Sequence, residues 1–313
     1  PIQPKENYLV LYDNDGSGED EFPNAATMLA AYRTASLLEV GGQSESQIRS
    51  IITSYSPSYI ALYGDGDQGE IPAWNLQSTY GCYSDFYYME WDLQPPTVTT
   101  FTPDAFIGRP IGTDDTESQE YVQLIMQYED GEINPGNYYS DAILGCNVWP
   151  GIGDNTMWQV SSFLETQANM TGVRELCTSG SPHWPGDGPF NKENFIDAQY
   201  GLDTGVSIGY INTHGSHNSF WCPEGGDIYT YEIRQHDWTW APFLMWGDAC
   251  DLSTFLGPSY ENDAVANAFI DAGTIGFVGT TRTSFVDYID RVDILFFNHR
   301  ITDWNYTQGE ALA

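Results

Sequence analysis

Short apolar runs alternate with segments of helical spacing along the chain. Tyr8 to Tyr12 (YLVLY) reads as a buried strand. Asn24 to Leu38 follows with Met28, Leu29, Tyr32 and Leu37-Leu38 spaced for one face of a helix. Ser44 to Ser54 reads as a second helix, opened by a capping box of Ser44 and Gln47. Tyr59 to Tyr63 (YIALY) is the next strand and ends at Gly64-Asp65. This strand–helix rhythm predicts an α/β fold, with a largely parallel sheet flanked by helices on both faces.

Gly66 to Pro103 is rich in proline and tyrosine and reads as loop, with a short strand after it at Phe106-Ile107. Thr116 to Tyr128 has helical spacing through Tyr121, Leu124, Ile125 and Tyr128. The Gly/Pro-bearing stretch Asp130 to Tyr139 marks a boundary, so the chain divides into an N-terminal lobe, 1–138, and a C-terminal lobe, 139–313. The rhythm then restarts. Strands are predicted at 142–148, 206–211, 243–246 and 274–278, and helices at 156–168, 192–198 and 262–272. Two successive α/β lobes account for this order.

Composition narrows the partners. Apolar residues make up 41% of the 313, with 15% aromatic, so the chain can bury a substantial core. No run approaches the ~20 apolar residues of a membrane span. Pro1 to Asn7 is polar and does not read as a signal peptide. Ten basic against 44 acidic residues give a net charge of −34, which repels nucleic acid backbones and anionic membranes and favours cationic peptides, calcium or a salty medium. Five cysteines, Cys82, Cys146, Cys177, Cys222 and Cys250, fit no zinc spacing, and their odd number leaves one thiol free if the others pair. The sequons at Asn169 and Asn305 suit an extracellular or cell-surface protein.

The candidate chemistry lies at two strand ends. In open α/β sheets reactive groups gather beyond the carboxyl ends of the strands. The strand at 206–211 delivers Asn212-Thr213-His214, and that at 243–246 delivers Asp248-Ala249-Cys250. If these strands are neighbours, an imidazole and a thiol emerge at one edge. The imidazole helps generate the thiolate and can protonate a leaving amine. Gly215 lets the backbone approach a scissile carbonyl, and its N–H and that of Cys250 can form an oxyanion hole. A cysteine at a strand end also reads as a small buried hydrophobe, and a His-Gly as a turn. Spacing alone does not choose between these readings.

Flanking blocks do. NTHGSHNSFW (212–221) resembles the histidine block of the gingipain-like cysteine peptidases, and LMWGDAC (244–250) resembles their nucleophile block. NDAVANAFIDAGTIGFVGTTRTSF (262–285) resembles the helix and strand after the nucleophile. Upstream, YIALYGDGDQGEIP (59–72), SDFYY (84–88) and PDAFIGRPIGTDDTESQEYVQLIMQYE (103–129) resemble segments of the family's first lobe, and GEALA (309–313) the start of a late helix. The blocks run in the family's order over nearly the whole chain. The resemblance implies a caspase-like fold in two lobes and endopeptidase activity on peptides or proteins through Cys250 and His214. No cofactor is required for that chemistry, and structural calcium is common in the family. By resemblance, Trp221 and Phe285 wall the substrate pocket; ordinary aromatic packing is the other reading.

The match departs at one point. The family's orienting acid follows the first strand of the second lobe, where this chain has Trp149-Pro150. Asp154 is the nearest carboxylate, for that role or for an acidic pocket floor; it also reads as the cap of the helix near Thr156. This departure keeps a second reading open, a catalytically weak or inactive surface or assembly protein on the same scaffold. Histidines at 183, 236 and 299 are scattered, and His217 lies three residues beyond His214. Asp13, Asp15 and Ser17 are spaced like the start of a calcium loop. Position 12, however, is Asn24 and no helix precedes the loop, so an EF-hand is not expected. A calcium site of another kind and a solvated acidic turn both remain for Asp13 and Asp15.

Overall fold

The computed structural model describes residues 7–14, 22–64, 66, 70–75, 83–89, 91, 104–110, 114–133, 138–147, 153–179, 181, 186–196, 201–253, 264–280, 293–294 and 297. The chain forms two compact units, one from Pro1–Met126 and the other from Gln127–Thr254 with Pro258–Leu312.

In the first unit β1 (Tyr8–Tyr12), β2 (Ser36–Glu39), β3 (Tyr59–Tyr63) and β6 (Phe106–Gly108) form a parallel sheet in the order β2-β1-β3-β6. A short ribbon, β4 (Trp74–Asn75) and β5 (Tyr83–Ser84), stands apart from it. Successive strand residues face opposite ways. Leu9, Leu11, Ile60 and Leu62 therefore pack with Ile48 and Ile52 of helix α2 (Glu45–Tyr55). Val10, Ala61 and Tyr63 pack on the other side with Ala25, Ala26 and Leu29 of α1 (Pro23–Arg33). Helices cover both faces, α2 on one and α1, joined by Val122, on the other.

The helix expected over 24–38 stops at Arg33. Thr34 turns left-handed (φ 53°), and its N–H bonds back to the carbonyls of Ala30 and Ala31. After Ala35, Ser36–Glu39 pair with β1 as a strand. Leu37 and Leu38 then serve opposite faces of the sheet, which a helix would not allow. Ser44 and Gln47 do form the expected capping box.

Helix α3 (Phe86–Met89) follows an ion pair sealed in this unit. Arg109 Nε and Nη2 donate to the two oxygens of Asp85 at 2.9 and 2.6 Å, and Nη1 donates to the carbonyl of Gly64. The two side chains are only 6% and 14% exposed. Asp85→Ala strands a buried guanidinium, so it is expected to cost about 3–5 kcal/mol in a denaturant melt. A cost below about 1 kcal/mol would mean that water screens the pair.

Helix α4 (Asp115–Glu129) precedes the second sheet. That sheet is built from β7 (Asp141–Cys146), β8 (Gly172–Cys177), β9 (Gly188–Pro189), β10 (Ile208–Asn212), β14 (Leu244–Asp248) and β15 (Gly276–Gly279). Its order is β15-β14-β10-β7-β8-β9, parallel throughout. Ala142, Leu144, Tyr210 and Trp246 face helix α5 (Gly153–Thr166) through Met157, Val160 and Leu164. Ile143, Ile211 and Met245 face the opposite core, where Phe220, Trp238, Phe243 and Phe269 gather. Phe195 of α6 (Lys192–Ile196) and Phe269 of α8 (Val265–Asp271) belong to that core.

A separate antiparallel ribbon, β11 (Gly215–Ser216), β12 (Ser219–Cys222) and β13 (Gly226–Tyr229), leads into α7 (Thr230–Ile233). Its inner face buries Phe220, Cys222 and Ile228, and its outer face exposes Trp221, Asp227 and Tyr229.

Candidate active site

β10 and β14 are direct neighbours. Their parallel register pairs Ile208 with Leu244 and ends by pairing Asn212 with Asp248. One residue further, the Thr213 N–H donates to the Asp248 carbonyl at 3.0 Å. His214 and Cys250 each lie two residues beyond the last rung, at the carboxyl edge of the sheet. Fully buried parallel strands are stiff and continuous, so they hold both segments at a fixed height.

The two segments touch through backbone. A Cβ on Gly215 would lie 2.7 Å from the Cys250 carbonyl oxygen, 2.9 Å from Ala249 Cβ and 2.7 Å from Leu252 Cδ2. Only glycine lets the histidine block lie this close to the cysteine block. The turn after Cys250 is pinned on several sides. Asp251 takes a left-handed φ of 60°. Thr280 Oγ1 donates to the Ala249 carbonyl, and the Ala266 N–H donates to the Leu252 carbonyl at 3.0 Å.

His214 is exposed, and Cys250 is half-buried. Cys146, Cys177 and Cys222 are buried, and burial pushes the Cys222 thiol well above its ordinary pKa, helped by Asp227 and Glu232. Cys82 lies outside the described residues. A reactive thiol needs both access and a stabilised thiolate. Among the described cysteines, Cys250 alone has the access.

Trp221 flanks the imidazole. Its N–H donates to the His214 carbonyl at 2.9 Å, its carbonyl accepts from Thr213 Oγ1 at 2.6 Å, and the two rings lie 5.8 Å apart. The indole is 37% exposed, so it forms a wall open to solvent on one side. Asp154 falls in the first turn of α5, which starts at Gly153 rather than near Thr156; its backbone is therefore helical and not a cap. That helix follows β7, the strand next to β10. The side chain of Asp154, together with Phe285, Trp149 and Pro150, lies outside the described residues.

Some neighbours of the site had no sequence signal. Burial lifts the Asp251 carboxyl above its ordinary pKa, against the pull of His217. Beneath the strand ends runs a buried polar chain. Asn212 Nδ2 donates to Asp248 Oδ2 at 2.6 Å and to the Tyr210 hydroxyl at 3.4 Å. Tyr210 donates to Asp293 Oδ2 at 2.6 Å, and Trp246 Nε1 donates to Asp293 Oδ1 at 2.7 Å.

Asp13 is buried at the end of β1, with its Oδ1 1.7 Å from where a Cβ on Gly41 would stand. No group of three or more His, Cys, Asp or Glu is gathered for a metal among the described residues, and Asp15 lies outside them.

The sheet edge carries a cysteine and a histidine just beyond the ends of two adjacent parallel strands. The chain belongs to peptidase family C25, whose family model matches residues 4–313. This is a family of cysteine-type peptidases. Three solved structures are similar in fold. One is described as a protease, with 17% identity, a TM-score of 0.70, and 93% of this chain covering 62% of that one. The Arg-specific cysteine proteinase gingipain R matches at 15% identity and TM-score 0.70, over 99% of this chain and 76% of that one. The complex of the RgpB pro- and mature domains of Porphyromonas gingivalis matches at 16% identity and TM-score 0.73, over 97% and 72%. This chain thus spans less than two thirds of the first of these and about three quarters of the others. No curated protein matches significantly. The α/β architecture of mostly parallel sheets flanked by helices, expected from the rhythm, is present, and the gingipain neighbours identify it as caspase-like.

Proposed function

We propose that the chain is a cysteine endopeptidase with Cys250 as nucleophile and His214 as its proton carrier. The observation that carries this reading is the rung Asn212–Asp248, with Gly215 pressed on the Cys250 backbone. In the reaction His214 takes the thiol proton, and the thiolate adds to the scissile carbonyl carbon. The backbone N–H groups of Gly215 and Cys250 receive the oxyanion. The imidazolium then protonates the leaving amine as the C–N bond breaks, leaving a thioester on Cys250. Water, deprotonated by His214, attacks the thioester and releases the acid and the thiol.

Trp221 supports one wall of the pocket. Asp154 and Phe285 are its other candidates, with Asp154 at the same carboxyl edge of the sheet. The acidic surface favours cationic peptides as partners, and an extracellular or cell-surface setting fits the sequons. A dyad without an orienting acid works with lower efficiency.

Two measurements test the assignment. Limiting iodoacetamide is expected to label Cys250 ahead of the buried Cys146, Cys177 and Cys222, read by peptide mapping. A mixed peptide library followed by mass spectrometry is expected to show cleavage and its side-chain preference together. A library left intact, with Cys250 alkylated no faster than a free thiol, would assign the chain to the alternative role of an inactive surface or assembly protein. That role is favoured by Trp149-Pro150 standing where the orienting acid belongs.

A further inference from the structure

The buried polar chain under the site is more elaborate than core packing requires. It joins the two strands that carry the reactive side chains, at their last rung. Asp248 and Asn212 stand opposite each other and are nearly inaccessible, 6% exposed each. Asp248 also accepts the Thr213 N–H through its carbonyl, so it grips the histidine segment twice. Two rungs earlier Tyr210 pairs with Trp246, and both donate to the fully buried Asp293. Phe297, four residues after Asp293, packs on the same two side chains, with ring centroids 5.8 Å from Tyr210 and 5.6 Å from Trp246. Asp293 and Phe297 therefore bridge β10 and β14 through Tyr210 and Trp246. Hydrogen bonds to a buried carboxylate are short, directional and stronger than neutral ones.

Resting on the reading of Cys250 and His214 as a dyad, we propose that Asp248 is the positioning residue of that dyad. Through Asn212 it fixes the end of the histidine strand relative to the end of the cysteine strand, and Asp293 braces the pair from the core. Asp248 touches neither substrate nor sulfur in this role. It sets how far apart the imidazole and the thiol stand. Displacement by about 1 Å at such a site can cost on the order of 100-fold in rate. This network does for strand ends what an orienting acid does for a single imidazole ring.

The test compares Asp248→Ala, Asp248→Asn and Val160→Ala, the last a core truncation behind the sheet chosen to lower Tm to a similar degree. Asp248→Ala is expected to lower kcat about 10–100-fold with KM within about 3-fold. Asp248→Asn keeps an oxygen for the Asn212 amide and is expected to restore kcat to within about 5-fold of the parent. Val160→Ala is expected to keep kcat within about 2-fold, since its cost is confined to packing. An Asp248→Ala enzyme within about 2-fold of the parent, or a Val160→Ala enzyme that falls as far, overturns the proposal. If Asp248→Ala does not fold, Asn212→Ala removes the same hydrogen bond and is read in its place.

A second readout does not need hydrolysis. The rate of Cys250 alkylation against pH reports its coupling to His214, in a surrounding that also holds Asp248, Asp251, His217 and Asp293. Asp248→Ala is expected to move the wild-type profile. Superimposable profiles overturn the positioning role. A shifted profile without any peptide cleavage leaves the positioning role standing and removes the peptidase.

Discussion

Cys250→Ala is expected to reduce peptide hydrolysis by on the order of 10⁴-fold or more in kcat/KM, about 5.5 kcal/mol of transition-state stabilisation. In the proposed mechanism the thiolate forms the covalent bond, and Cys250 is the accessible thiol among the described cysteines. The change is small in volume, and the thiol is half-exposed, so the fold is expected to survive with a Tm close to the parent's. The measurement is kcat/KM on a peptide chosen from the library, beside a thermal melt. His214→Ala is expected to lose a comparable factor. Combining the two is expected to add little, because the groups act as a unit. Undiminished hydrolysis by the Cys250→Ala protein would place the nucleophile elsewhere.

Gly215→Ala is the second large effect, and it acts through space rather than chemistry. The added methyl would have to occupy a point 2.7 Å from the Cys250 carbonyl oxygen and 2.9 Å from the Ala249 Cβ. Neither neighbour is the loose end of a long side chain, so the backbone itself has to yield. Overpacking of this kind costs about 1–3 kcal/mol of stability. Activity is expected to fall further, about 100-fold or more, because the strain is relieved by parting the histidine and cysteine segments. The signature is a large loss of kcat with a modest drop in Tm. Equal stability and activity to the parent would show that the two segments open easily and that close approach is unnecessary.

The sequence shows parts of this architecture and hides others for physical reasons. YLVLY and YIALY are readable because strands covered on both faces are continuous apolar runs. The segments ending in Asn212 and Asp248 are readable for the same reason, and so is the edge to which they lead. The strand GVRELC (172–177) goes unread because Arg174 and Glu175 sit near the end of the sheet, where only the short β9 covers it. The ribbon after His214 is too short and too polar to show a period. The overlong first helix came from reading Leu37-Leu38 as a helical face. Roles at the site came from resemblance rather than from spacing. Asp293 had no signal at all, since it reaches Tyr210 from 83 residues away. Only packing brings such a pair together.

The adjacency of β10 and β14 also sets when the chain becomes reactive. Their ladder joins segments 36 residues apart and needs a complete crossover before its first hydrogen bond forms. Long-range parallel pairing is slow compared with local structure, because loop closure is opposed by entropy before any contact rewards it. A chain emerging from synthesis presents His214 before β14 exists. A partly unfolded chain keeps both side chains but separates them. The proposed dyad is therefore unassembled in newly made and in unravelling molecules. The same property makes Cys250 a clock: during refolding, the rise of its alkylation rate times the closing of the sheet.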